Sequence, residues 1–171
     1  MASELKNLSV FEGTEVPSAK GMKIAIVVAE WNHEITGALC KGAIDTLIKH
    51  GIDKEDILSK YVPGSFELTL GAQYLAEYTQ ADAIICLGCV IQGDTKHFDF
   101  ICESVAKGIT DLNIKYNKPF IFGVLTTNDQ QQAIDRAGGK HGNKGDEAAI
   151  TAIKMVSLKK SFDEGKKAIG F

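Results

Sequence analysis

The sequence predicts an α/β fold of three layers, with helices on both faces of a four-stranded parallel sheet. Short apolar runs alternate with segments whose apolar residues recur every three or four positions, as in strands followed by crossover helices. The chain has 171 residues, 44% of them hydrophobic, so one domain can bury a core without disulfides or a structural metal. Parallel strands joined in this way place every strand-to-helix connection at one edge of the sheet.

The first half of the chain contains two predicted strand-and-helix pairs. The β-branched run at residues 23–29 is typical of a buried central strand. Apolar residues at helical spacing follow it, and Gly51 is a natural residue for a left-handed helix stop. Residues 57–62 form a weaker strand, and Ser65 is placed to cap the second helix.

The second half repeats the pattern and ends in two helices. Residues 82–91 form the third strand, which leads into a third helix, and residues 119–126 form the fourth strand. The last two helices, predicted over residues 129–137 and 146–159, are separated by a glycine-rich connection. No internal repeat or second domain is apparent.

Composition argues against two classes of partner. A formal net charge of −3 offers no basic face for nucleic-acid phosphates. The longest apolar runs, residues 24–29 and 83–87, have the length of strands, so no membrane span is predicted. The opening residues show no basic segment leading into an apolar stretch, so we expect a cytoplasmic protein.

Cys86 and Cys89 have the C-x-x-C spacing of redox and zinc sites. On a strand, residues three apart face opposite sides of the sheet and lie about 10 Å apart, which a disulfide cannot span. Zinc would need further ligands at finger-like spacing, and none follows. We therefore interpret both cysteines as small buried apolar residues and predict no metal site.

The strand-to-helix connections carry side chains suited to a ligand. Trp31 and Phe66 offer flat faces to a planar ring, although each can alternatively pack against the core. Glu67 can accept hydrogen bonds from hydroxyl groups near a helix start. We therefore expect a ligand in the crevice at this edge of the sheet.

Residues 93–97, Gly-Asp-Thr-Lys-His, join the third strand to the third helix. Free backbone N–H groups at Asp94 and Thr95 can hold a phosphate, but helix capping by Asp94 is an equal alternative. The stretch is not a P-loop, because Asp-Thr stands where Lys followed by Ser or Thr is needed. His97 lies one turn from this anion site, and an imidazole titrating near pH ~6.5 suits proton transfer. His97 is therefore the first candidate catalytic residue.

Six stretches of the chain, in this order, carry a family resemblance. They are Trp-Asn at 31–32, Val-Pro-Gly-Ser-Phe-Glu at 62–67, Gly-Cys-Val-Ile-Gln-Gly-Asp-Thr-Lys-His-Phe-Asp at 88–99, Phe-Ile-Phe-Gly-Val-Leu-Thr-Thr at 120–127, Gln-Ala-Ile-Asp-Arg-Ala-Gly at 132–138 and Gly-Asn-Lys-Gly at 142–145. With them, the region from residue 23 to 160 resembles the lumazine synthase family, which acts in riboflavin biosynthesis.

The resemblance implies that 5-amino-6-(D-ribitylamino)uracil condenses with 3,4-dihydroxy-2-butanone 4-phosphate. The products would be 6,7-dimethyl-8-ribityllumazine, phosphate and water, and neither a cofactor nor a metal would take part. His97 would move protons during Schiff-base formation and phosphate elimination, while the N–H groups of Asp94 and Thr95 would hold the phosphate. The following residues would line the pocket for the ring and the ribityl chain: Trp31, Ser65, Phe66, Glu67, Cys89, Val90 and Ile91.

Phe122 and Arg136 would reach the site from an adjacent subunit of a homopentamer. Taken alone, Phe122 is more typical of core packing and Arg136 of a solvated helix face. The resemblance implies instead that Arg136 pairs with the phosphate as a permanent cation. Lys144 is carried over as a further substrate-binding residue.

The resemblance also bears on assembly and on the ends of the chain. The connection at residues 138–145 lacks the insertion of capsid-incompatible members, which favours an icosahedral capsid of 60 subunits. Residues 1–22 form an N-terminal segment that can add a strand to a neighbour's sheet. The charged residues 161–171 are predicted to be a disordered tail.

Two departures and two rival functions accompany the resemblance. Trp31 stands where the family commonly has Phe, and Gln92 stands where Arg is frequent, so a cation beside the site is lost. One rival is a flavodoxin-like binding module, which shares the fold and the crevice but performs no condensation. The other is a capsid-forming scaffold without catalysis.

Overall fold

A computed structural model describes the backbone of residues 16–169 and the side chains of residues 16–163. Its main sheet contains β1 (Ile24–Ala29), β2 (Ile57–Val62), β3 (Ala83–Ile91) and β4 (Phe120–Thr127). The strands lie in the order β2-β1-β3-β4, and each neighbouring pair is parallel. The predicted four-stranded parallel sheet is confirmed.

Helices follow the strands along the chain. Within the described residues they are α1 (His33–Lys49), α2 (Leu68–Tyr78), α3 (His97–Tyr116), α4 (Gln130–Arg136) and α5 (Lys144–Ile169), with a short 3-10 turn at Lys54–Asp56. Among these helices, none combines the length and apolar character needed to cross a membrane.

The predicted glycine-rich connection between the last two helices is a small antiparallel hairpin, formed by β5 (Ala137–Gly139) and β6 (Gly142–Asn143). Gly138 and Gly142 have φ angles of 113° and 73°, a region that glycine adopts without steric cost because it has no Cβ atom. The glycines that predict a loop here therefore provide the backbone angles that the hairpin needs.

Two apolar clusters cover the two faces of the sheet. Residues of α1, α4 and α5 pack on one face, and residues of α2 and α3 pack on the other. All six residues of β1 are buried, as expected for a central strand covered on both sides. Cys89 belongs to the first cluster and Cys86 to the second, which confirms that these cysteines are buried on opposite faces.

The start of α5 lies against α1 at very short range. A Cβ atom added to Gly145 would lie 1.9 Å from the Leu39 carbonyl oxygen, so only glycine permits this approach. The Asn143 side chain donates to the Ala38 carbonyl at 2.9 Å and accepts from the Gly145 N–H at 2.8 Å. This contact sets the position of Lys144, the first residue of α5.

At the C-terminal end, helix α5 continues to Ile169, into the charged stretch from Ser161 that is predicted to be a disordered tail. Residues 161–169 contain no proline and include Lys, Glu and Ala, which favour helix, so the helix does not stop at the charged stretch. Residues 1–15, which hold most of the segment expected to pair with a neighbour, lie outside the described residues.

Candidate active site

The sheet opens between β1 and β3 at its carboxyl edge. From β1 the chain crosses to β2 on one side, and from β3 it crosses to β4 on the other, so the two strands flank a topological switch point. The β1–β3 pairing ends at Val28 and Leu87, whereas the β3–β4 pairing continues to Ile91 and Thr127. A crevice therefore begins where β1 and β3 separate.

A cavity of about 620 Å³ occupies this crevice, and we call it the edge cavity. It is lined by Trp31, Asn32, Gly64, Ser65, Phe66, Glu67, Cys89, Val90, Ile91, His97 and Ile101. Eight predicted site residues thus meet around one volume, although three separate connections and the end of β3 contribute them.

The two aromatic side chains of the edge cavity are open to solvent. Trp31 is 73% exposed and Phe66 is 57% exposed, so the alternative that they pack into the core is wrong. The loop that carries Trp31 continues the β1–β2 pairing, because the Glu30 N–H donates to the Val62 carbonyl at 2.8 Å and the Trp31 N–H donates to the Pro63 carbonyl at 3.1 Å. Both rings are available to stack on a planar ligand.

Ser65 lies in the floor of the edge cavity and does not cap α2, so that prediction is wrong. Its side chain is buried, and a Cβ atom at Gly88 would lie 2.7 Å from the Ser65 Oγ. Helix α2 has Glu67 at its N-cap position with no side-chain capping bond. Ser65 contributes only its carbonyl, which accepts from the Leu68 N–H at 3.2 Å. The hydroxyl faces β3 because Gly88 leaves room for it.

Cys89 forms part of the wall as a neutral thiol. Burial raises its pKa to about 11, and burial raises the pKa of the fully buried Cys86 to about 12. A thiol with such a pKa carries almost no thiolate at neutral pH and is a poor nucleophile. Cys89 therefore shapes the cavity without reacting in it.

The predicted anion-binding segment is exposed at the start of α3. Helix α3 begins at His97 with Lys96 at the N-cap position and no side-chain capping bond there, so capping by Asp94 is excluded. The Thr95 Oγ1 accepts from the His97 N–H at 3.3 Å. Among the described residues, the N–H groups of Asp94 and Thr95 donate no hydrogen bond. Both residues lie outside the lining of the edge cavity.

A second cavity, of about 630 Å³, runs along the edge strand β4, and we call it the basic cavity. It is lined by Asn113, residues 119–126, Arg136, Lys144, Glu147, Ala148, Thr151 and Met155. Phe122 is 44% exposed here, so core packing does not describe it. Three residues that the resemblance assigned to the site, Phe122, Arg136 and Lys144, meet in this cavity.

The cations of the basic cavity are held by hydrogen bonds. Arg136, the chain's only arginine, is partly buried and donates from Nη1 to the Gln132 carbonyl at 3.0 Å. Lys144 forms an ion pair with Glu147, and these side chains are only 17% and 15% exposed. Arg136 is thus not on a solvated helix face.

The two cavities share no lining residue. His97 and Arg136 therefore do not meet around one volume within a single chain. Sequence reasoning assigned no site role to Asn32, Gly88 or Glu147, although Asn32 and Gly88 belong to the stretches that carry the resemblance. The i, i+3 spacing of Lys144 and Glu147 could have indicated their ion pair, but the contact between Asn32 and β3 joins residues far apart in the sequence.

Known proteins are similar to this chain over the whole predicted domain. The model of the 6,7-dimethyl-8-ribityllumazine synthase family matches residues 21–160. The enzyme of that name from Cytophaga hutchinsonii is 62% identical over 92% of this chain and 98% of its own length. Those from Parabacteroides distasonis and Porphyromonas gingivalis are 59% and 55% identical, over 92% and 94% of this chain and 99% of each relative. Because the family model spans residues 21–160 and these relatives are at least 55% identical over nearly their whole length, the chain belongs to the 6,7-dimethyl-8-ribityllumazine synthase family.

Proposed function

We propose that this chain condenses 5-amino-6-(D-ribitylamino)uracil with 3,4-dihydroxy-2-butanone 4-phosphate to form 6,7-dimethyl-8-ribityllumazine, phosphate and water. The observation that carries the proposal is the edge cavity, where flat aromatic faces, a carboxylate and the imidazole of His97 surround one volume. The synthases named above, at up to 62% identity, support the same reaction.

The aminouracil binds in the edge cavity. Trp31 and Phe66 present exposed faces to the pyrimidine ring, and Glu67 accepts hydrogen bonds from hydroxyl groups of the ribityl chain. Ser65 and the end of β3, which includes Val90 and Ile91, limit the depth of the cavity. This arrangement orients the free amino group of the substrate toward the mouth of the cavity, where His97 begins α3.

His97 moves protons in two steps. When the amine attacks the ketone carbon, the nitrogen loses a proton and the departing hydroxyl gains one as water leaves. Elimination of phosphate then requires removal of a proton from carbon while the C–O bond to phosphate breaks. The ring closes when the ribitylamino nitrogen attacks the remaining carbonyl carbon, and a second water leaves. An imidazole can serve as donor and acceptor in turn at neutral pH, which matches both steps.

The phosphate lies between the start of α3 and a cation from another chain. The N–H groups of Asp94 and Thr95 have no partner in the described part of the chain, so they can donate hydrogen bonds to an anion. Arg136 and Lys144 supply the positive charge, but they line a separate cavity of their own chain. The simplest arrangement brings the basic cavity of one subunit to the edge cavity of its neighbour.

We therefore propose a homopentamer whose active sites lie between adjacent subunits, with Phe122, Arg136 and Lys144 presented by the neighbour. The exposed ring of Phe122 on an edge strand supports such a contact. Assembly of these pentamers into a 60-subunit capsid is part of the same proposal. A cytoplasmic location accompanies it, and four free cysteines suit a reducing compartment.

A two-substrate assay tests the reaction. The purified protein is given both substrates, and lumazine fluorescence and phosphate release are followed in parallel, with each substrate omitted in turn as a control. We expect both products in equal molar amounts and neither product in the controls. A flavodoxin-like module would purify yellow and release no phosphate, and a scaffold would form large particles without turnover.

A further inference from the structure

Asn32 occupies the point at which the sheet opens into the edge cavity. It follows β1 and precedes α1, and its backbone is left-handed, with φ 59° and ψ 44°. Asparagine, aspartate and glycine adopt this conformation most readily. Within the described residues, Asn117 is the only other non-glycine residue with positive φ. The loop geometry thus restricts position 32 to a few residue types.

The backbone of Asn32 starts α1 without help from its side chain. The Asn32 carbonyl accepts from the N–H groups of Ile35 at 2.9 Å and Thr36 at 3.0 Å, and the side chain makes no capping bond. The carboxamide instead donates from Nδ2 to the Cys89 carbonyl on β3 at 3.0 Å. The side chain therefore binds β3, on the opposite side of the crevice from β1.

This hydrogen bond lies beyond the end of the β1–β3 pairing. The last paired residues are Val28 and Leu87, two positions before Cys89. On its other side, the loop is held to the β2–α2 connection by the N–H groups of Glu30 and Trp31. The Asn32 carboxamide is thus the link that holds the loop to β3.

We propose that Asn32 is a positioning residue that holds Trp31 at a set distance from the β3 wall of the edge cavity. Within its own chain Trp31 is 73% exposed, so packing inside the chain contributes little to the position of the indole and the backbone of the loop must orient it. Without the carboxamide, the hydrogen bonds that still hold the loop to a neighbouring strand, among the described residues, are those to the Val62 and Pro63 carbonyls. The inference rests on the proposed stacking of Trp31 on the aminouracil.

Two substitutions separate the hydrogen bond from the backbone conformation. Asn32→Gly permits positive φ and removes the donor. Asn32→Asp keeps the shape and tolerates the left-handed region, but its carboxylate cannot donate to the Cys89 carbonyl at neutral pH. The matched controls are Asn117→Gly and Asn117→Asp, which make the same changes at the C-cap of α3.

We expect both Asn32 variants to raise the KM for the aminouracil by about three- to tenfold, the size of one neutral hydrogen bond. The KM for the butanone phosphate should stay within about twofold, because the Asn32 bond does not touch the anion segment. Both Asn117 variants should leave both KM values unchanged. Equal changes in the two KM values, or an Asn32→Gly enzyme that behaves like the parent, would overturn the proposal.

Fluorescence provides a readout that does not depend on turnover. Trp31 is the only tryptophan of the chain, so collisional quenching by acrylamide reports on this loop alone. Acrylamide quenching of Trp31, and its segmental motion measured by fluorescence anisotropy, should increase in both Asn32 variants. Both quantities should stay unchanged in both Asn117 variants. Identical quenching in all four variants would contradict the role of Asn32 even if the parent protein proved inactive. An inactive parent protein whose Asn32 variants show increased quenching would instead contradict only the proposed reaction.

Discussion

The edge cavity and the basic cavity have similar volumes and are built by different means. Loops that follow three parallel strands form the edge cavity, so the topology of the sheet sets its place. The basic cavity depends on the edge strand β4 and on the close approach of α5 to α1. The edge cavity contains the aromatic faces and His97, and the basic cavity contains the guanidinium and the paired lysine.

The two cavities offer complementary chemistry, and in the proposed assembly they form the two halves of one site. A flat ring needs exposed aromatic faces beside neutral groups, which the edge cavity provides. A phosphate needs cations whose positions are held, and Arg136 and Lys144 are tied by the Gln132 carbonyl and by Glu147. In that assembly, a change in one cavity should affect the binding of one substrate, whereas turnover should require both cavities.

The largest effect is expected from Arg136→Ala. Loss of a charged, bidentate contact should raise the KM for the butanone phosphate by about a hundredfold and leave the KM for the aminouracil within about twofold. Steady-state kinetics with each substrate varied in turn measure this. The control is Lys140→Ala, which removes an exposed cation that pairs with Asp135. Equal effects of Arg136→Ala on both substrates would show that the cavities are not specialised.

Mixed assemblies test whether the halves come from different chains. His97→Ala and Arg136→Ala proteins are unfolded together and refolded at equal amounts. If each site lies between two subunits, random mixing should restore about a quarter of the parent activity, since one interface in four joins two intact halves. No recovery in a properly assembled mixture would place both residues in one chain's site.

His97→Ala should slow turnover by about tenfold to a hundredfold, at or below the lower end of the range for proton transfer because the imidazole is exposed. The KM values should change little, since other groups bind the ring and the phosphate. Single-turnover rates measure the chemical steps directly, and sedimentation confirms that assembly is intact. An unchanged rate would remove His97 from the proposed mechanism.

Gly145→Ala should destabilise the protein by about 2 kcal/mol, because the new methyl group meets the Leu39 carbonyl and the backbone must move. Movement of α5 displaces Lys144, so phosphate affinity should fall more than aminouracil affinity. Gly37→Ala in α1 is the control, since a Cβ atom there has nothing within 4 Å and should raise stability slightly. Denaturant unfolding and both KM values measure the outcome, and matching losses of affinity would argue against separate construction of the cavities.

The smallest effect concerns the neutral wall of the edge cavity at alkaline pH. The folded-state pKa of Cys89 is raised to about 11 from an ordinary value of 9.0, so its contribution is fully present below pH 9 and is lost as pH rises toward 11. The unfolding free energy of the parent protein should therefore fall as the pH rises from 9 to 11. Cys89→Ala should make that fall smaller by about 1–2 kcal/mol. Urea unfolding at several pH values measures it, with Cys102→Ala as the control. Identical pH dependence in the parent and Cys89→Ala would contradict the buried, neutral thiol.

Much of the fold and half of the site could be predicted from residue patterns. Continuous apolar runs and helical spacing located the strands and the first three helices, because burial on two faces or on one face leaves a regular trace in the chain. The β5–β6 hairpin and the helical continuation of α5 were missed. A glycine-rich segment can form a loop or a hairpin, and a stretch of mixed charges can form a helix or a disordered tail.

Some site residues could be predicted from the topology of the sheet, and others could not. Trp31, Phe66, Glu67 and His97 could be selected because parallel topology brings strand ends together whatever the loops contain. Ser65 was given the wrong local role, since its hydroxyl position depends on Gly88 across the sheet. Periodicity could not predict that Phe122 and Arg136 line one cavity, because the cavity forms between β4, α4 and α5 and leaves no pattern within any one of these elements.

Residue patterns alone predicted the succession of strands and helices along the chain and the sheet edge at which the ligand-binding side chains meet. The family resemblance added the reaction. These features are local or topological, so a linear pattern records them. The resemblance had implied that Arg136 acts from another subunit, but packing showed that Lys144 shares a cavity with it, apart from His97, and that Asn32 donates across the crevice to the Cys89 carbonyl. Both depend on distances between residues far apart in the chain, which packing sets.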